Sequence, residues 1–229
     1  MKIEDFNINL SLDSVMPDEE IIPMRGGSNL TSEKYKKEAK KFLGKNMIYS
    51  FDNIKKSTYR YIGDRNNIPL PVMGEQIRIR TQQQMNLIVI ILKLVDMNGG
   101  IDELTIATYT LNREAMSILT QLKETAKIER INLLIASSYG FRDPKWKAEI
   151  EKLCKQYQIH LTFAWSHFKI TLAKCGSNYY QLEGSMNYST NNMAEQIIFE
   201  NSKEIYEKDY EFINTAMTDT NNKALEVIC

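Results

Sequence analysis

Histidine and cysteine are scarce in this 229-residue chain, which holds two of the first and three of the second. Cys154, Cys175 and Cys229 are odd in number and share no short spacing, so they read as buried or incidental thiols. With so few histidines beside them, a zinc site is not expected, nor is any other metal or cofactor. Long apolar runs are also missing. The longest, Leu87 to Val95, is interrupted by Lys93 and has about half the ~20 residues a spanning helix needs. No apolar stretch follows a basic start, so the expectation is no signal peptide, no membrane, and a cytoplasmic or particle-associated protein. There is no excess of either charge, because 29 basic residues balance 29 acidic ones. That neutrality argues against a protein that coats nucleic acid on every side.

What is present is uneven. Residues 1–20 carry six acids and one lysine, residues 30–80 twelve Lys/Arg against five acids, and the last 39 residues eight acids against three lysines. The basic middle section suits either a phosphate backbone or a solvated helix face. Residues 1–30, with Pro17, Pro23 and Gly26-Gly27, read as an irregular N-terminal arm. Residues 31–81 read as a basic helix over 31–46 followed by short strands, among them STYRYIG, PLPVM and EQIRIRT.

Residues 82–229 form the third part. QQQMNLIVIILKLVDM is apolar nearly all round and should be a buried helix, ended by Gly99-Gly100. ELTIATYTL and INLLIASSY read as strands around an amphipathic helix at 112–127. Asp143-Pro144 opens another helix, running to about Tyr157. QIHLTFAW, HFKITLAK, YYQLEGSMN and AEQIIFE follow as strands, with a turn at 175–178 and a last helix over EIYEKDYEFINTAM. This order predicts an α/β fold whose first strands are parallel and joined by crossover helices.

His167 and Lys169 stand two apart on a predicted strand, so their side chains share a face with Cα atoms ~6–7 Å apart. Ser185 and Asn187 stand two apart on the returning strand, after Gly184, which permits close backbone approach. A hairpin closing near 175–178 lays the two pairs side by side. Lysine and asparagine hold phosphate oxygens by charge and hydrogen bonds, and a serine hydroxyl donates to them. An imidazole attacks phosphorus or moves a proton. Glu195 would bond the other imidazole nitrogen and fix its tautomer. Trp165 is a candidate for stacking a base, and Tyr180 (with Tyr179) for touching substrate.

HFK at 167–169 and GSMN at 184–187 resemble the signature of the phospholipase D superfamily, His-x-Lys followed by Gly-Ser-x-Asn. The stretch EGSMNYSTNNMAEQIIF is similar to the motif's end in single-domain members from phages and mobile elements, with Asn191 or Asn192, Glu195 and Gln196 in the matching places. The resemblance reaches back through 103–138 and covers about half the chain; nothing in residues 1–80 matches. It implies a phospholipase D-like mixed β-sheet flanked by helices, here with an N-terminal extension. It also implies a metal-independent phosphodiesterase acting on nucleic acid, with DNA the expected polymer. His167 would be the nucleophile or its partner acid, Lys169 and Asn187 would hold the phosphate, Ser185 would assist, and Glu195 would orient His167. The family's aspartate five residues after the lysine is Lys174 here, and the hairpin from Lys169 to Gly184 is about three residues longer than in the shortest members.

The family reaction uses two histidines. His160 lies seven residues before His167, and an odd spacing on one strand points it to the opposite face. A second His167 from a homodimer is therefore expected, since two-fold contacts are isologous. The alternative is a catalytically inactive DNA-binding or structural component of a phage particle or mobile-element assembly. Lys174 and the unmatched first 80 residues favour that alternative.

Overall fold

The computed structural model describes residues 56–61, 68–81, 85–189, 194–218 and 226–228. All lie in the second of the two units into which the chain divides, residues 47–229. The arm at 1–30, the basic helix at 31–46 and the pair Asn191 and Asn192 lie outside the described residues.

Two of the short strands read from the first third of the chain are present, β1 (Lys56–Tyr61) and β2 (Glu75–Thr81). They pair in parallel. PLPVM is not a strand: residues 68–72 are irregular and lead into a turn at Met73-Gly74. Two prolines there remove backbone donors that a ladder would need. Helix α1 (Ile88–Asn98) buries Ile88, Ile90, Ile91, Leu92, Leu94 and Val95, each worth about 1.5–3 kcal/mol. Gly99 ends it at φ 79°, a left-handed conformation that suits glycine.

Strand β3 (Ile101–Thr108) follows at once and is buried at both core and flank positions. Helix α2 (Arg113–Glu124) is capped by Asn112, whose side chain accepts from Ala115 N at 2.9 Å. Strand β4 (Ile128–Ala136) ends where Ser137 begins a short helix, α3 (Ser137–Arg142). The sequence pattern carried this strand on through SSY. Helix α4 (Pro144–Tyr157) starts as expected, with Asp143 accepting from Trp146 N at 2.9 Å. The remaining elements are β5 (His160–Ala164), β6 (Ile170–Cys175), β7 (Asn178–Gly184), β8 (Glu195–Asn201), α5 (Lys203–Thr218) and β9 (Glu226–Ile228). The last is a strand that periodicity did not reveal, because three residues carry no measurable period.

The strands form one sheet in the order β1-β2-β8-β7-β6-β3-β4-β5-β9. β3, β4 and β5 are parallel, as the α/β order predicts, and β6 runs antiparallel to β3. The fold class expected from the sequence, a mixed sheet flanked by helices, is the one observed. β2 pairs with β8, so residues 75–81 belong to the same sheet as the motif hairpin. Helix α5 lies against the sheet, with Tyr210 Oη donating to Glu103 of β3 at 3.1 Å.

This topology gathers one set of strand ends. Ala107 of β3 pairs with Ile170 of β6, Ala136 of β4 with Ala164 of β5, and Gly184 of β7 with Ile197 of β8. The C-terminal ends of β3, β4, β5 and β7 and the starts of β6 and β8 therefore share one edge. In open α/β sheets, ligands bind beyond the carboxyl ends of parallel strands.

Candidate active site

The two motif pairs meet at that edge, but not on the strands themselves. β6 begins at Ile170, so His167 and Lys169 lie in the segment leading into it. β7 ends at Gly184, so Ser185 and Asn187 lie in the loop leaving it. The ladder nonetheless continues by one bond, Gly184 N donating to Lys169 O at 3.3 Å. The hairpin turn falls at Gly176-Ser177, within the expected stretch. It holds the register that sets Lys169 against Gly184, although the sheet proper stops one residue earlier.

Gly184 is required by backbone approach. A Cβ there would overlap Gln196 O and lie 2.9 Å from Ile197 Cα. Only glycine lets β7 and β8 close at this point, and the closure carries Ser185 to Gln196. Ser185 N donates to Gln196 O and Gln196 N donates to Ser185 Oγ, both at 3.0 Å. Ser185 Oγ donates in turn to the Glu195 carboxylate.

Met186, the variable residue of GSMN, is buried in the core. Asn187 is fixed from the β3 side. Thr110 N and Thr108 Oγ1 each donate to Asn187 Oδ1 at 3.4 Å. A backbone N–H can only face the carboxamide oxygen, so the orientation of the side chain is set. Its Nδ2 has no hydrogen-bond partner among the described residues and is the group left to meet a ligand. Tyr188 anchors the loop: it bridges Leu111, and its buried hydroxyl lies 2.8 Å from Thr171 Oγ1.

His167 is exposed, with Lys169 Nζ 3.1 Å from its Nδ1. Partial burial and then the Lys169 charge hold the imidazole below its ordinary pKa. Burial also lowers Lys169, against an opposing pull from the Glu195 carboxylate. The expected bond from Glu195 to His167 is absent: Glu195 faces Ser185 and acts on Lys169, while Lys169 occupies Nδ1. The two residues start different segments on either side of β7, which spacing along the chain does not reveal.

Trp165 lies half-buried just beyond β5, in the segment that carries His167. Tyr180 is not brought to the site. It is 4% exposed, packs on Phe199 with ring centroids 5.8 Å apart, and sits toward the turn end of the hairpin. Lys174 is also at that end, paired with Tyr179 and Glu103 across the strands, so the departure from the family's aspartate is remote from His167. His160 opens β5, at the opposite end of that strand from the segment holding His167.

Two residues that the sequence reading passed over stand in the site. Tyr109, just past β3, has its ring centroid 4.7 Å from that of His167. Lys169 Nζ and Arg142 Cζ lie 5.8 and 5.6 Å from the same ring. The available signal was position: Tyr109 follows β3 as Trp165 follows β5, at the carboxyl ends where ligands gather. A separate groove of about 640 Å³, lined by Met73, Gly74, Ser202, Lys203, Glu207 and Lys208 among others, lies at the other end of β8 and includes none of these residues.

No protein-family model matches the chain, and no curated protein does. Among solved structures it is similar to polyphosphate kinase from Porphyromonas gingivalis, at 11% identity and TM-score 0.48, over 62% of this chain and 26% of that one. It is also similar to phosphatidylserine synthase from Haemophilus influenzae Rd KW20, at 12% identity and TM-score 0.41, over 60% of this chain and 36% of that one. A third is TrmBL2, an archaeal chromatin protein with a novel mode of DNA binding, at 12% identity and TM-score 0.41, over 61% and 50%. The chain thus spans between about a quarter and half the length of these structures. No helix among the described residues is long and apolar enough to cross a membrane.

Proposed function

We propose that this chain is a phospholipase D-like phosphodiesterase that cleaves nucleic acid, with DNA as the expected polymer, through a phosphohistidine formed on His167. The observation that carries this reading is the contact of Lys169 with His167 beside the loop of Asn187, whose Nδ2 has no hydrogen-bond partner among the described residues, at the end of one hairpin. A neutral imidazole, a cation and an amide donor on adjoining segments suit a phosphate diester.

The roles follow from the chemistry. Lys169 Nζ and Asn187 Nδ2 bind the non-bridging oxygens and stabilise the charge that builds on them. The His167 Nε2 lone pair attacks phosphorus as the bond to the leaving oxygen breaks. A second His167, from the partner subunit of a homodimer, protonates that oxygen. Water then attacks phosphorus, losing its proton to the second imidazole, and the P–N bond breaks. Lys169 takes part beyond binding, because phosphate entry draws its ammonium from Nδ1 toward the oxygens. Ser185 and Glu195 hold the loop and set the field at Lys169.

The deciding experiment is cleavage of single- and double-stranded DNA in EDTA by wild type and His167→Ala, with the mass of each in solution. EDTA-resistant cleavage by a dimer, lost in the variant, supports the reading. A folded wild-type protein that cleaves neither DNA, RNA nor a simple phosphodiester turns it toward the binding or structural role in a phage or mobile-element assembly. The Lys169 contact on Nδ1, in place of a carboxylate, is the observation that favours that second role.

A further inference from the structure

Arg142 ends α3, directly after β4, which carries it to the same edge as the motif loops. Its side chain is exposed, and no carboxylate pairs with it among the described residues. The neighbouring acid, Asp143, is committed to capping α4 through Trp146 N. The guanidinium instead rests on the Tyr109 ring, 5.6 Å from its centroid. Lys169 Nζ is 5.8 Å from that same centroid, and the His167 ring is 4.7 Å from it. Tyr109 is thus a shared aromatic base for the reacting imidazole and for two cations. The cations are separated by no more than twice the ring distance.

We propose that Arg142, seated on Tyr109, is a second phosphate subsite that grips a phosphate neighbouring the one held by Lys169. This rests on the phosphodiesterase reading for which phosphate is cleaved, and adds the class of substrate. A planar guanidinium takes two phosphate oxygens at once, and an unpaired one beside a phosphate pocket is built for a second anion. A lone diester leaves it idle. A polynucleotide, with phosphates repeating along the strand, fills both positions. Exposure lets Arg142 leave the ring to follow the backbone, and the ring returns it to place.

The test uses the full chain as wild type, Arg142→Ala and Arg142→Lys, a fluorescein-labelled single-stranded DNA oligonucleotide, and a salt series. Hydrolysis of bis(p-nitrophenyl) phosphate, which has one phosphate, is followed alongside. Arg142→Ala is expected to weaken oligonucleotide binding about tenfold at low salt and to flatten the slope of log affinity on log salt by about 0.7. Arg142→Lys is expected to recover the slope, and hydrolysis of the small diester to fall by much less than oligonucleotide binding in both. An unchanged slope in Arg142→Ala overturns the subsite, as does an equal loss on the small diester. So does a wild-type protein that hydrolyses the small diester but binds no oligonucleotide. If wild type binds with the expected Arg142 dependence and hydrolyses neither substrate, the subsite stands and the phosphodiesterase reading falls.

Discussion

Lys169 Nζ lies 3.1 Å from His167 Nδ1, so the cation expected to hold phosphate also touches the imidazole expected to attack it. The contact couples the two groups. Together with partial burial, it keeps His167 neutral to lower pH than a free histidine. A protonated lysine donates to Nδ1 and leaves the neutral ring's proton on Nε2. On the proposed reading, phosphate draws Lys169 away and frees the tautomer with the Nε2 lone pair.

The first prediction concerns pH. His167 is expected to titrate below 6.5, and Lys169→Met to move it upward by removing one of the two causes of the shift. The unfolded chain binds this proton more tightly, so the His167 contribution to stability is lost as pH falls below the unfolded value. Nitrogen-15 NMR titration checks it, since the chain has only two histidines and His167→Ala identifies the signal. A titration above 6.5 in wild type rejects the coupling.

Asn187 separates function from fold. Asn187→Asp keeps an acceptor for Thr110 N and Thr108 Oγ1 but removes the Nδ2 donor and adds repulsion toward phosphate. Its expected effect is a loss of cleavage of about 10²–10³-fold with a nearly unchanged melting temperature. Asn187→Ala should lose the same activity and also about 1 kcal/mol of stability, from the orphaned donors. Paired rate and urea-melt measurements distinguish the variants.

Gly184→Ala is expected to destabilise by about 1–3 kcal/mol, because the added methyl meets the Gln196 carbonyl and the β8 backbone and neither can rotate away. Activity should fall further than stability, since the shift displaces Ser185 and Asn187. A melt matching wild type would show that β7 and β8 do not close there.

Asp209 offers a stability test away from the site. Burial pushes its carboxyl up to about 6 from 3.8, with Glu183 adding to the rise and a hydrogen bond from Gln181 opposing it. The folded protein holds this proton more tightly than the unfolded chain. The stabilisation is therefore complete below 3.8 and lost as pH rises through about 6. Asp209→Asn, which still accepts from Gln181, should stabilise the protein at pH 7.5 by roughly 2–3 kcal/mol and flatten the pH dependence between these values. Chemical denaturation at pH 4.5 and 7.5 checks this; equal gains at both would reject it.

Much of this architecture is written in local pattern. The buried helix at 88–98, the β3 and β4 strands and the Asp143-Pro144 start of α4 follow from period, caps and β-branched runs, which act within a few residues. The hairpin between the two motif pairs was legible for the same reason, since a single turn at 176–177 closes it, but the pairs themselves fall just beyond its strands. The contacts that set the chemistry were not. Glu195 reaches Ser185 rather than His167, Tyr180 turns into the core, and Tyr109 and Arg142 arrive from β3 and β4. Each depends on which strands are neighbours and on the residue at which each strand stops. Strand order is a compromise among all the faces that must be buried, so only the folded sheet decides which strand ends share an edge.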